Sequence, residues 1–286
     1  MSTYSYYAAL KSGEMTALEV VDTIAELGAV HVEIVPLGYE LSLEQPSLIH
    51  ALRERASLHG LVISNYAVSA NFSGLRGEAF EAEVLRLCRE VDIAHALGAK
   101  RMRHDVASSQ DTSMAHLMSE LPKLAEACRR VADYAAGYGM VSSVENHGYY
   151  MQGSDRVLAL LDAVGHPSFK TTVDIGNFMC ADEDSVAAVK KMIGYASMVH
   201  LKDFYLRRTG EGAALLGEGW FRTASGNSLR GAIVGQGDID MPAVLGVVKQ
   251  SGYDGFISIE FEGLEDCRLG TRLGFEYARR LWDELG

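Results

Sequence analysis

The chain has 286 residues, 48% of them apolar and 22% charged, a globular balance that excludes wholesale disorder. Lysines and arginines number 26 against 38 aspartates and glutamates, a net charge of −12; with no basic run, this argues against nucleic acid or an anionic membrane as partner. No apolar stretch approaches the ~20 residues of a bilayer span, residues 1–7 carry no leader pattern, and four scattered cysteines without a CxxC pair point to a reducing, cytoplasmic setting.

In chain order, one phrase recurs: an amphipathic helical stretch, a glycine, then a short β-branched run. Helical stretch 16–27 leads through Gly28 to a strand at 30–35, and 47–58 leads through Gly60 to 61–64. Then come 78–97, Gly98 and a run around 101–105; 116–136, Gly139 and 141–145; 154–164, Gly165 and 170–174. The last units are 182–193, Gly194 and 198–202, then 241–250, Gly252 and 256–260, and a helix at 267–284 closes the series. Thr16 and Glu19 have the spacing of a capping box. Asp240 reads as an N-cap with Pro242 in the first turn, where a missing N–H costs little. The glycines suit left-handed helix stops.

Helices alternating with strands mean parallel pairing through right-handed crossovers. Seven units are clear, and an eighth strand is expected within 228–234. Eight units in this length, with no linker, describe a single-domain (β/α)8 TIM barrel; an open doubly wound sheet is the alternative. Residues 204–230 exceed an ordinary loop and read as a lid or oligomer contact. Gly235-Gln236-Gly237-Asp238-Ile239-Asp240 lacks the last glycine of a dinucleotide fingerprint and the lysine of a P-loop, so it reads as a turn into the helix at 241.

Four strands end in a group able to bind metal: Glu145, Asp174, His200 and Glu260. Barrel strands converge at their C-terminal ends, so these side chains meet at one mouth. Three carboxylates without a cation would repel one another. Three oxygens and one imidazole nitrogen suit Mn²⁺, Mg²⁺ or Co²⁺, with Zn²⁺ less well matched. His147, two residues beyond Glu145, shares its face and is a candidate general base. Lys202 could steady an oxyanion or sit in a salt bridge with Asp203 or Glu262. Asn177 could bind a sugar hydroxyl or cap a helix. Trp220, Tyr149 or Tyr150 could stack on a sugar ring. Among Arg101, Arg103 and His104, the register does not choose which faces the mouth.

The segments Val144-Glu145-Asn146-His147, Val173-Asp174-Ile175-Gly176-Asn177, Val199-His200-Leu201-Lys202-Asp203, the glycine loop at 235–240 and Ile259-Glu260-Phe261-Glu262 together resemble the sugar phosphate isomerase/epimerase family of xylose-isomerase-like barrels. The resemblance implies one divalent ion, Mn²⁺ first, held by Glu145, Asp174, His200 and Glu260. It also implies catalytic roles for Glu145 and Glu260. In the ketose 3-epimerases of that family, two glutamates move a proton beside a carbonyl while the ion steadies the enediolate. The expected activity is therefore isomerisation or epimerisation of a ketose or keto-sugar. This chain departs from those epimerases in carrying Asn177 where they often have His, and Leu201-Lys202-Asp203 after the metal His. The Glu-Asn-His run also resembles C-glycoside deglycosidase catalytic subunits, which would make His147 the base of a 3-oxo-glycoside lyase working with a small partner subunit. Keto-inositol isomerases and dehydratases are a further branch. A homo-oligomer and a non-catalytic sugar-binding role are also open.

Overall fold

The structure, a computed structural model, describes residues 1–210 and 217–285. Helix α1 (Tyr7–Ser12) stops at Gly13, which adopts φ 76°. The capping box of Thr16 and Glu19 forms at the start of α2 (Ala17–Glu26), whose Val20, Val21 and Ile24 are buried. Five strand–helix repeats and a sixth strand follow: β1 (His31–Ile34) and α3 (Ser47–Leu58), β2 (Val62–Val68) and α4 (Gly77–Leu97), β3 (Arg101–His104) and α5 (Met114–Ala136), β4 (Val141–Glu145) and α6 (Ser154–Val164), β5 (Phe169–Asp174) with α7 (Asn177–Cys180) and α8 (Ser185–Met192), then β6 (Ala196–Leu201). After β7 (Asp203–Arg207), β8 (Phe221–Arg222) and β9 (Ser228–Ala232) come α9 (Met241–Gln250), β10 (Phe256–Ile259) and α10 (Cys267–Glu284).

Seven strands form one parallel sheet in the order β1-β2-β3-β4-β5-β6-β10. Its two edges are joined by the first residues of the chain. Ser2 bridges Glu33 in parallel and donates its N–H to the Ile259 carbonyl at 3.2 Å, while Glu33 donates to the Met1 carbonyl at 2.8 Å. The fold is thus the expected TIM barrel, nearly closed, and the open doubly wound alternative is set aside.

The eighth stave corrects one expectation. Residues 228–232 form β9, which lies outside the barrel in an antiparallel sheet ordered β7-β9-β8. The reason is pairing. A stave would run parallel to its barrel neighbours, whereas β9 runs antiparallel to both β7 and β8, pairing Asp203 with Ala232 and Arg207 with Ser228. The segment read as a lid or contact therefore carries this small sheet. Its residues 211–216, including Gly212, lie outside the described residues.

Register then carries side chains to the mouth. His200 on β6 lies abreast of Asp174 on β5 and Ser258 on β10. Glu33 on β1 lies abreast of Asn65 on β2. The core around them is continuous and includes Val32, Ile34, Tyr66, Met102, Val144, Val173 and Val199.

Candidate metal centre

Each of the four candidate ligands is placed by its strand and braced by a neighbour. Glu145 ends β4, where Arg103 of β3 pairs with Oε2 at 2.5 Å and Asn177 donates to Oε1 at 3.0 Å. Asp174 ends β5. Its Oδ1 accepts the N–H groups of Gly176 and Asn177, each at 2.8 Å, which leaves Oδ2 for the centre. Asn146 clamps the Asp174 backbone from both sides, accepting from its N–H at 2.9 Å and donating to its carbonyl at 2.8 Å. Glu260 follows β10 and pairs with Lys202 at 3.0 Å.

His200 fixes the character of the site. Its Nε2 is 2.9 Å from Glu33 Oε1, an oxygen that also accepts from Asn65 Nδ2 at 2.7 Å. A carboxylate there places the proton on Nε2 and turns the Nδ1 lone pair toward the mouth. Nδ1 faces Glu260 Oε1 at 3.3 Å, Glu145 Oε2 at 3.6 Å and Asp174 Oδ2 at 4.0 Å. One ligand atom from each of the four residues lies within 4.8 Å of all the others, and all four residues are buried. A lone pair facing three carboxylate oxygens is tolerable only with positive charge between them.

Without a metal, the same excess of negative charge shows as a proton held on His200, one that a bound ion would displace. Burial alone would lower the His200 pKa, but Glu260, Glu33 and Glu145 raise it to about 10. Burial pushes Glu145 upward against the pull of Arg103. Burial also opposes ionisation of Glu260, yet His200 and Lys202 hold it down at about 2. Four buried carboxylates, those of Glu33, Glu145, Asp174 and Glu260, face two buried cations, Arg103 and Lys202. A divalent ion would balance the remainder. The donor set fits such an ion: His200 Nδ1 and Asp174 Oδ2 are both buried without a hydrogen-bond partner and aimed at the same space, and three oxygens with one nitrogen suit six-coordinate metals.

A cleft of about 460 Å³ opens over the centre. Glu145, Glu260, Arg103, Lys202, Asp105 and His147 line its inner end. His147 is half-exposed, with Nδ1 held by Asp105 Oδ1 at 3.0 Å. Burial would lower its pKa, but Asp105 raises it above the ordinary histidine value. Asp105 is itself held at about 2, since Arg103 and His147 outweigh its burial. Lys202 touches Asp174 at 3.2 Å and Glu262 at 3.4 Å besides Glu260. It lies 5.2 Å from the Tyr4 ring centre, and Tyr4 donates to Glu262 at 2.9 Å.

The other sequence candidates have other tasks. The Asn177 side chain braces Glu145. Trp220 packs between Arg207 and Arg230 and is not among the cleft-lining residues. Tyr149 donates to the Arg222 carbonyl at 2.6 Å, and Tyr150 is fully buried near Glu120. The glycine loop wraps Asp203, whose carboxylate accepts from Gly235, Gly237, Ile239 and Phe204. Sequence reasoning missed Glu33, Asn65 and Asp105. Glu33 carried a legible signal, an acid in the middle of an otherwise apolar strand. Of the β3 candidates, Arg103 faces the site, while Arg101 stacks on Phe256 at 5.2 Å and His104 is buried against Ser142.

Comparison with known proteins places this architecture. An inosose dehydratase of Clostridium perfringens (strain 13 / Type A) is 23% identical over 259 residues, covering 84% of this chain and 82% of that protein. The probable 3-DHS dehydratase AsbF of Bacillus anthracis superposes with a TM-score of 0.73 at 17% identity, covering 98% of this chain and 97% of that one. D-psicose 3-epimerase of Clostridium cellulolyticum H10 superposes at 0.71 with 13% identity, covering 94% of each chain. The family described as xylose isomerase-like TIM barrel matches residues 21–281, so the chain belongs to the xylose isomerase-like TIM barrel family.

Proposed function

We propose that this protein is a divalent-metal-dependent enzyme that removes a proton beside the carbonyl of a polyhydroxylated ketone, and that the reaction proceeds to elimination. The observation that carries this is one arrangement: the His200 lone pair among three carboxylates, with His147 on the cleft wall beside it. A divalent ion there would supply Lewis acidity, lowering the cost of negative charge on a neighbouring carbonyl oxygen.

The residues divide the remaining work. His147, steadied by Asp105, takes the proton from the carbon beside the carbonyl. The electron pair becomes a carbon–carbon double bond as the hydroxyl on the next carbon departs. His147 returns its proton to that hydroxyl, which leaves as water. Lys202, held charged by Asp174 and then by Glu260 and Glu262, donates a hydrogen bond to oxygen that gains charge. His200 and Lys202 hold Glu260 down at about 2, which weakens it as a base, and Arg103 occupies Glu145, which leaves His147 the better-placed acceptor. The inosose and 3-DHS dehydratases among the similar proteins support elimination.

Epimerisation is the second reading. Glu145 and Glu260 approach His200 Nδ1 from strands on either side of β6, the placement a two-base inversion requires, and a 3-epimerase shares the fold. The test is to incubate the Mn²⁺-loaded protein with keto-sugars and keto-cyclitols in D₂O and follow them by NMR. Loss of water from the substrate is the expected result. Deuterium uptake with inversion and no loss of water would select epimerisation. Neither outcome across the panel would overturn the proposal.

A further inference from the structure

Every cation lining the cleft is already matched by acids of the chain. Arg86 of α4 grips Glu83 through Nε and Nη2, each at 2.8 Å. It also reaches Glu90 at 3.3 Å and the Ser69 carbonyl at 2.8 Å. The other oxygen of Glu90 accepts from Tyr66 at 2.7 Å. Arg103 is divided among Glu145, Asp105 and the Val68 carbonyl. Lys202 stands among Asp174, Glu260 and Glu262, and His147 is held by Asp105. Glu40 adds an exposed carboxylate at the rim. Even with a divalent ion counted, acids outnumber bases around this space.

Much of the outer wall is apolar, built from Val35, Pro36, Leu37, Leu41 and Val68. Such a wall sharpens the penalty for an unpaired charge. An entering phosphate or carboxylate would either remain unpaired or displace an acid from its present partner.

We infer that the cleft takes an uncharged ligand: a neutral polyhydroxylated ketone, not a sugar phosphate or a keto-acid. This rests on the function proposed above and narrows its substrate class. The guanidinium of Arg86 is the built-in control, because Glu83 and Glu90 alone of the acids near it hold it.

The experiment is calorimetric titration of the Mn²⁺-loaded protein with D-fructose against D-fructose 6-phosphate, and with a neutral cyclitol ketone against 3-dehydroshikimate. Each anionic compound is expected to bind at least about tenfold more weakly than its neutral counterpart, or not at all. Tighter binding of either anion would overturn the inference. The Glu83→Gln/Glu90→Gln double variant releases Arg86 and is expected to improve D-fructose 6-phosphate binding by about tenfold, with the gain lost at high salt. Unchanged binding in that variant would also overturn it, since matched cations would then not be what excludes the anion. Mn²⁺ loading is measured separately. Its failure would count against the proposed function, while the double variant still reads charge preference in the metal-free cleft.

Discussion

Asp174 and Asp203 are both fully buried and flank the same strand, yet the chain treats them in opposite ways. Asp203 is finished by the backbone: its oxygens accept four N–H groups, from Phe204, Gly235, Gly237 and Ile239. Asp174 is half finished. Oδ1 accepts two N–H groups, while Oδ2 has no hydrogen-bond donor and points to His200 and Lys202. A buried acid whose lone pairs are all met by the backbone holds the fold together. One that the backbone leaves half met, with an oxygen turned to His200 and to a lysine shared with other acids, is placed to hold a metal ion. The comparison separates structural from chemical carboxylates without reference to any relative.

The largest effect expected is at the unfinished end. His147→Ala should lower turnover by about 100- to 10,000-fold while leaving Mn²⁺ affinity unchanged, read by steady-state kinetics beside calorimetry. Equal losses in both would place His147 among the ligands instead. At the finished end, Asp203→Ala should strand four N–H groups, two of them buried and two part-buried, and cost about 3 kcal/mol of stability. Urea denaturation would show this, with Mn²⁺ affinity of the folded protein unaffected. Glu33 tests the boundary between the two classes, since its work is to orient His200. Glu33→Gln should weaken Mn²⁺ binding by about 10- to 100-fold, and unchanged affinity would show that His200 needs no such brace.

Glu120 gives the smallest effect and has a pH signature. It is buried and accepts from Ser73 at 2.6 Å, Gly74 at 2.8 Å and Lys123 at 3.0 Å. Burial opposes its charge, but these partners hold its pKa down at about 2. A depressed carboxylate adds stability above its unfolded value and loses it as pH falls toward the folded one. Denaturation of Glu120→Gln should therefore show about 2 kcal/mol less stability at neutral pH. Its stability should also fall less than that of the wild type between pH ~4.5 and ~2.

Most of the barrel was legible in the sequence, because each unit repeats amphipathic helix, glycine and apolar strand. The four candidate ligands were legible because acids and a histidine interrupt strand ends. The closing stave was not. Met1 and Ser2 are too few to show periodicity, and 228–232 has a strand's composition whichever sheet it joins. Local pattern does not tell a parallel stave from an antiparallel arm; only the pairing with β7 and β8 does. Asn65 and Asp105 were hidden for a similar reason, and Glu33, though visible as an acid within its strand, gave no sign of its partner. Their importance lies in contacts between strands, with Glu33 meeting His200 across 167 positions. Trp220 looked like a sugar platform because aromatic rings suit that task, yet the hairpin turns it onto Arg207 and Arg230.

The most direct test is Mn²⁺ titration of the metal-stripped protein by calorimetry and electron paramagnetic resonance, with His200→Ala alongside. The account predicts one saturable ion per chain in the wild type and a loss of at least about 100-fold in affinity in the variant. No saturable binding, or equal binding by both proteins, would contradict it.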